Sequence, residues 1–375
     1  MIVASPPPPP LPPPAIEQPA PRQVSYGLVT GRAAPGTRRV VVTAGGEVLA
    51  SKPLRGRRFS LRVELPVGDL ALRVATVDAT GRRSSAVVHD VFGLPAAARP
   101  RPGRPVTRND PRLAADLRGI ARARSAASAF YVESLTSRVG ASWNAGARFP
   151  AASTLKLGIA AAVLAAHDGV PGPRSYVGGL LRELITESDD RAANALLVWL
   201  GGSTSSGGRR VDGLMRSIGL DDSLMYGGYD TRTLSGPIPI RVERRSALGA
   251  GKYTTAADIA GLWRALWLAS GNRGPLRRAQ AGFAAAEARH LLWLTAHVRD
   301  RPKLDRRLRG RPRVAVLHKA GWNSSVRHDT GLVFWQGGVF VAAVLTWRAG
   351  TGSSSDVLAG RIAKLALTAF RRPGR

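Results

Sequence analysis

Two proline-rich stretches set the first limits on how this chain can fold. Proline has no backbone N–H and a locked φ, so neither residues 6–22 nor residues 95–111 can form the interior of a helix or a central strand. The first reads as an extended, polyproline-like tether and the second as a Pro/Arg linker. Together they divide the 375 residues into a proline-rich tail (1–22), a short segment (23–94), the linker (95–111) and a long C-terminal region (112–375). A chain of this length holds two or three domains and buries a sizeable core.

Between the two proline stretches the pattern is one of short alternating runs separated by turn residues. Residues 40–43 and 47–50 flank Ala44-Gly45-Gly46, residues 59–65 lead through Pro66-Val67-Gly68-Asp69 into residues 70–77, and Asp78-Ala79-Thr80-Gly81 precedes residues 84–91. Strands of this length at this spacing predict a small all-β sandwich. The segment resembles the bacterial immunoglobulin-like modules of envelope proteins, most clearly in Phe-Ser-Leu-Arg-Val-Glu-Leu-Pro (59–66) and Val-Asp-Ala-Thr-Gly (77–81). It carries no residue with a catalytic pattern.

Beyond the linker the periodicity becomes mixed. Residues 127–133 and 140–143 read as a hairpin, and residues 153–167, 177–185, 191–200 and 255–270 as helices. Residues 314–318, 331–335 and 339–347 read as strands, and 356–370 as a closing amphipathic helix. Strands at both ends with helices between them predict an α+β domain, an antiparallel sheet faced by helices.

Composition excludes several chemistries. There is no cysteine, hence no disulfide, thiolate nucleophile or cysteine-bound metal. No His, Asp and Glu arrangement has metal-ligand spacing, so neither a metal nor another cofactor is expected. The net charge of +30 is almost all arginine, since only six of the 55 basic residues are lysines. A solvated arginine-rich surface accounts for this, and the sharper reading is an anionic cell-wall polymer as partner. Arginines concentrate in residues 99–124 and 301–313, but neither stretch interleaves aromatics as a stacking groove does, which argues against nucleic acid. No apolar run reaches the ~20 residues of a membrane span. Met1-Ile2-Val3-Ala4-Ser5 ahead of the prolines resembles the end of an apolar leader and its cleavage region, so the expected location is extracellular or at the cell envelope, with the signal peptide truncated or missing.

The chemistry concentrates in three short motifs. Ser153-Thr154-Leu155-Lys156 opens an apolar helix, and positions i and i+3 share a helix face, so hydroxyl and amine can meet. A serine at a helix N-terminus also lies near free N–H groups that stabilise a developing oxyanion. Alone this spacing is a weak signal, equally that of a capping serine and a surface lysine. It is followed by Ser188-Asp189-Asp190, then Arg191-Ala192-Ala193-Asn194, and later by Lys319-Ala320-Gly321 at the start of the C-terminal strands. Serine-x-x-lysine, serine-aspartate-asparagine and lysine-threonine-glycine, in that order, are the signature of class A β-lactamases and penicillin-binding proteins. With Phe-Pro-Ala-Ala ahead of Ser153 and Thr-Thr-Ala-Ala-Asp-Ile-Ala at 254–260, residues 112–372 resemble the class A β-lactamase-like serine hydrolases.

The resemblance implies a β-lactamase/transpeptidase-like fold and a role for each motif residue. Ser153 attacks an acyl carbonyl and forms an acyl-enzyme. Lys156 acts as base once neutral, which requires burial and a second cation, for which Lys319 is placed. Ser188 passes a proton to the leaving nitrogen. The N–H groups of Ser153 and Trp322 form the oxyanion hole, while Asp190, Gly321, Trp322 and Arg327 line the substrate site. Asp189, Asn194 and His318 are structural residues beside it. His318 and His328 bracket the third motif and read as structural hydrogen bonders, and Arg327-His328-Asp329 as strand-end polarity.

Three departures stand out. Asp190 replaces an asparagine, and an ionised carboxylate accepts hydrogen bonds but cannot donate one to a substrate carbonyl; its charge also favours protonated Lys156. Ala320 replaces a hydroxyl residue that holds the substrate carboxylate, leaving Ser324, Ser325, Arg327 or Thr330 to compensate. The family's deacylating Glu-x-x-Leu-Asn stretch has no counterpart, and Asp230 and Glu243 are the nearest acids in its interval. The expected substrates are β-lactams or peptidoglycan-like acyl groups. The alternatives are a D-Ala-D-Ala peptidase or esterase with slow deacylation, and a catalytically weak envelope-binding protein.

Overall fold

The computed structural model describes residues 10–101, 108–122, 127–229, 251–300, 302–347 and 354–372. The chain separates into two compact units, residues 1–96 and 97–375.

The first unit is built of strands: β1 (Ala15–Gln18), β2 (Gln23–Ser25), β3 (Leu28–Arg32), β4 (Thr37–Ala44), β5 (Glu47–Pro53), β6 (Arg58–Arg62), β7 (Gly68–Asp78) and β8 (Arg83–Gly93). They form a three-stranded sheet, β1-β3-β6, and a five-stranded sheet, β2-β8-β7-β4-β5. Val29 and Phe59 from the first and Val40, Val42, Leu72 and Val74 from the second share one apolar core, as two sheets with alternating inward residues must. Residues 15–18, read as part of a tether, instead pair with β3. Their extended backbone serves as an edge strand, the one sheet position compatible with nearby proline.

The second unit contains a six-stranded sheet of order β14-β15-β16-β10-β11-β9, from β9 (Arg108–Asn109), β10 (Ala127–Ser134), β11 (Val139–Trp143), β14 (Ala315–Trp322), β15 (Arg327–Trp335) and β16 (Gly338–Trp347). All neighbours are antiparallel except β9 with β11. A two-stranded ribbon joins β12 (Phe149–Pro150) to β13 (Tyr253–Thr254). The helices are α1 (Pro111–Arg122), α2 (Lys156–Ala166), α3 (Tyr176–Arg182), α4 (Asp190–Gly201), α5 (Thr204–Ser217), α6 (Ala256–Ser270), α7 (Gly274–Ala279), α8 (Ala285–Ala296) and α9 (Ser354–Phe370).

Helices cover both faces of the sheet. Leu113 and Leu117 of α1 and Ile362 and Ala366 of α9 pack with Phe130, Val333 and Phe340 on one face. Side chains alternate along a strand, so Thr330 lies on the other face, where its hydroxyl receives the Trp263 indole of α6 at 2.9 Å. Double coverage explains why β16 is a continuous apolar run rather than an alternating one. The α+β expectation therefore holds, and residues 112–122 and 204–217, not read as helices from the sequence, are helical, with Leu113, Leu117 and Ala121 of the first and Val211, Leu214 and Met215 of the second on one buried face.

Candidate active site

The apolar helix α2 has nine buried residues and no polar face, the pattern of a helix enclosed on all sides. Its entry differs from a simple helix start at Ser153. Residues Ala152–Leu155 form a tight 3-10 turn and the α-helix begins at Lys156. The Ala151 N–H is tied to the Lys252 carbonyl at 2.8 Å, and Ala152 takes a left-handed φ of 45°. A non-glycine residue held there is strained, a feature that concentrates at functional sites. Ser153, half-buried, follows directly.

Lys156 is fully buried. Its ammonium donates to Asp190 Oδ1 at 2.6 Å and to the Ser188 carbonyl. Among the described residues no hydrogen bond joins it to Ser153. Ser188 itself ends a π-turn, Glu183–Glu187, with a left-handed φ of 58°. Asp189 then caps α4 by accepting from the Ala192 N–H at 2.7 Å, a structural duty, and Asp190 opens that helix. The reversal at Ser188 leaves its carbonyl against Lys156 and its hydroxyl against Lys319.

Lys319, on β14, is fully buried rather than a surface strand-end residue. Its ammonium donates to Ser188 Oγ at 2.8 Å, to the Ala320 carbonyl at 3.2 Å and to Asp300 Oδ2 at 3.3 Å. Two residues on, Gly321 presses against the serine turn: a Cβ there would lie 2.9 Å from the Thr154 nitrogen and 3.0 Å from the Ala151 oxygen. Only glycine lets β14 approach this closely, which brings the Trp322 end of the strand beside Ser153. Trp322 is 55% exposed.

Burial dominates the electrostatics. It pushes Lys156 below its ordinary range, against the pull of Asp190, Asp189 and Asp300 in the other direction. Lys319 is pushed down to about 8 by burial and by the charge of Lys156, partly offset by Asp300. Both lysines are thus held below the ordinary amine range, with nearby carboxylates pulling the other way.

Sequence reasoning missed three residues here. Asp300 pairs with Lys319. Tyr229 is half-buried, its ring centroid 4.6 Å from the Lys156 ammonium, and its hydroxyl donates to the Ala152 carbonyl at 3.3 Å. Lys252 lies 4.6 Å from the same ring on its own account. One weak signal was available: with six lysines in a chain so rich in arginine, each lysine marks a place where arginine did not serve.

The remaining candidates fall into supporting places. Asn194 Oδ1 accepts from the Tyr229 N–H at 2.7 Å and so holds Tyr229 in the site. His318 pairs with Asp329 at 3.0 Å; burial lowers its pKa, but Asp329 together with Asp305 and Asp300 raises it above its ordinary value. His328 accepts from the Thr346 N–H through Nδ1 (3.1 Å) and bonds the Pro150 carbonyl through Nε2 (2.7 Å), a neutral structural histidine pushed down to about 4 by burial. Arg327 donates to the Asn323 and Val326 carbonyls and covers the Trp322 ring at 5.6 Å. Thr330 is not free to hold a substrate carboxylate, because its hydroxyl donates to the Lys319 carbonyl at 3.2 Å. Asp230 and Glu243 lie outside the described residues. Among the described residues no group of three or more His, Asp or Glu side chains is placed to hold a metal.

A sheet covered by helices on both faces, with a serine turn, a second serine and two buried lysines converging, defines the β-lactamase/transpeptidase class of fold. Residues 168–370 match the model of the beta-lactamase enzyme family, and the chain belongs to that family; the matched stretch contains Ser188 and Lys319 and begins after Lys156. The beta-lactamase of Sphaerobacter thermophilus is 20% identical over 69% of this chain and 97% of its own, with a TM-score of 0.54. PBP-A is 19% identical over 72% of this chain and 99% of its own, at 0.57. The beta-lactamase of Streptosporangium roseum is 19% identical over 70% and 100%, at 0.55. These likenesses establish the fold. No curated protein matches the chain. No helix among the described residues is long and apolar enough to cross a membrane.

Proposed function

We propose that residues 97–375 form a serine hydrolase that is acylated at Ser153 by β-lactams or related cell-wall acyl substrates. The observation that carries this is the meeting of all three motifs at Ser188: Lys156 on its carbonyl and Lys319 on its hydroxyl at 2.8 Å. Neutral Lys156 takes the Ser153 proton as Oγ attacks the carbonyl carbon, and the tetrahedral oxyanion forms at the Ser153 and Trp322 N–H groups. Ser188, its oxygen already accepting from Lys319, gives its own proton to the departing nitrogen and recovers one from protonated Lys156. The bond from carbonyl carbon to nitrogen breaks, leaving an ester on Ser153.

Slow release of that ester is favoured by one observation. In the interval where a deacylating carboxylate belongs, the described residue that enters the site is Tyr229, whose phenol is raised above its ordinary pKa by burial and by Asp190, and so is no base at neutral pH. A penicillin-binding, peptidase-like enzyme is the better expectation than a fast β-lactamase. The strand-rich first unit we read as an immunoglobulin-like attachment module (23–94), and the arginine-rich surface as a contact for anionic wall polymers, both in keeping with an extracellular or envelope location.

The test is incubation with a fluorescent penicillin and a chromogenic cephalosporin, alongside Ser153→Ala. Stable Ser153-dependent labelling with little turnover is expected. Rapid cephalosporin turnover removes the slow-release reading, and labelling that survives in Ser153→Ala removes the nucleophile.

A further inference from the structure

Lys252 belongs to none of the three motifs, yet it is buried beside them. It immediately precedes β13, and its carbonyl receives the Ala151 N–H, so its backbone is fixed to the turn that carries Ser153. Its ammonium donates to the Gly228 carbonyl and lies 4.6 Å from the centroid of the Tyr229 ring. The Lys156 ammonium lies at the same 4.6 Å from that centroid. Two cations sharing one ring in this way are at most about 9 Å apart, whichever faces they occupy. Tyr229 has little freedom to move: Asn194 holds its N–H and the Ala152 carbonyl accepts from its hydroxyl.

We propose that Lys252, acting across the Tyr229 ring, is a positioning residue for acylation of Ser153: its cation opposes the pull of Asp190 on Lys156, and its hold on Tyr229 walls Lys156 off from water. This rests on the reading of Lys156 as the base.

The charges facing Lys156 make the need for such a residue plain. Asp190, in contact at 2.6 Å, with Asp189 and Asp300 farther off, favours the protonated amine. Lys319 opposes them, but Asp300 lies 3.3 Å from it and offsets part of its charge. Tyr229 is neutral. Whereas Lys156 is paired with Asp190 and Lys319 with Asp300, Lys252 contacts a carbonyl and, among the described residues, no carboxylate. Its own amine is pushed down to about 8 by burial and by Lys156, partly offset by Asp190, which leaves it charged through the neutral range. The cation–π contacts also give Tyr229, a large apolar wall, a fixed place over the base.

The experiment follows phosphonylation of Ser153 in the full chain by a fluorophosphonate probe between pH 5 and 10, for wild type and for Lys252→Met, Lys252→Gln and Lys252→Arg. The rate rises with pH as Lys156 becomes neutral. Removing a like charge raises the Lys156 pKa, so the rising limb of Lys252→Met is expected to move up by about one pH unit, from Coulomb's law at that separation and an effective dielectric near 20. Lys252→Gln, which keeps a donor for the Gly228 carbonyl, is expected to move it equally and stands in should the methionine variant not fold. Lys252→Arg is expected to keep the wild-type limb. A limb unmoved in the neutral variants, or moved as far by arginine, overturns the proposal while leaving Ser153 as nucleophile. A wild type that is not phosphonylated at Ser153 at any pH sinks the underlying reading as well.

Discussion

The two faces of β14 bury charge in opposite ways. On one face Lys319 reaches Ser188 and Asp300 beside Lys156, in a cluster whose two lysines are pushed below their ordinary range by burial. On the other, His318 and Asp329 form a closed arrangement: Asp329 accepts from His318 at 3.0 Å, from the Leu304 N–H at 2.7 Å and from the Thr330 N–H at 3.0 Å. Burial pushes the Asp329 carboxyl's pKa up, but His318, Lys303 and the Leu304 N–H together bring it below its ordinary value. One strand thus carries a satisfied pair that stabilises and an imperfectly balanced set to which we assign the proposed reaction. Chemistry resides where the pairing leaves an amine able to lose its proton.

That contrast can be broken from either side. The largest effect is expected from Asp329→Ala, which leaves His318 and the Leu304 N–H unpaired in the interior. Breaking a buried pair of this kind costs about 3–5 kcal/mol, read as a lower midpoint in urea unfolding, and the fraction that remains folded should still label at Ser153. Gly321→Ala attacks the other face. The added Cβ meets backbone atoms of the serine turn at 2.9 and 3.0 Å, and displacing that turn is expected to slow Ser153 labelling about a hundredfold, with a smaller loss of stability of about 1–3 kcal/mol. If Gly321→Ala labelled at the wild-type rate, the close approach of β14 would have no part in the chemistry.

The smallest and most informative change is Asp190→Asn. The carboxylate in contact with Lys156 favours its protonated form, so removing the charge lowers the Lys156 pKa and makes the base available at lower pH. The rising limb of Ser153 labelling is expected to shift down by about one pH unit, a gain of about tenfold at pH 7. A downward shift here and an upward shift in Lys252→Met would show the two charges acting on the same amine from opposite sides. A slower Asp190→Asn enzyme at every pH would instead make Asp190 a substrate contact.

Much of this architecture was legible in local pattern. The alternating runs at 40–43, 47–50, 59–65, 70–77 and 84–91 each fall on a strand, the third ending early at Arg62, residues 255–270 are periodic and form α6, and the doubly covered β16 appears as an unbroken apolar run. Helix α5 was overlooked, because the serines and glycines of Thr204–Ser217 obscure a helical period that Val211, Leu214 and Met215 carry on its buried face. The winding at Ser153 was also hidden. Ser153 sits in a 3-10 turn because the incoming chain is pinned to Lys252 and β13, about a hundred residues later in sequence, a constraint that loop closure imposes and periodicity cannot report.

The sequence by itself determined the division of the chain by proline, the strand and helix periods of each part, and the order of Ser153, Lys156, Ser188 and Lys319. These follow from backbone chemistry and from the spacing of side chains along one element. Tertiary structure alone decided which charge faces which amine: Asp190 and not Ser153 at Lys156, Asp300 at Lys319, and Lys252 reaching the same tyrosine as Lys156. Those partners come from separate elements joined by irregular segments, where no period links one residue to the next, and only packing brings them within reach of Coulomb's law.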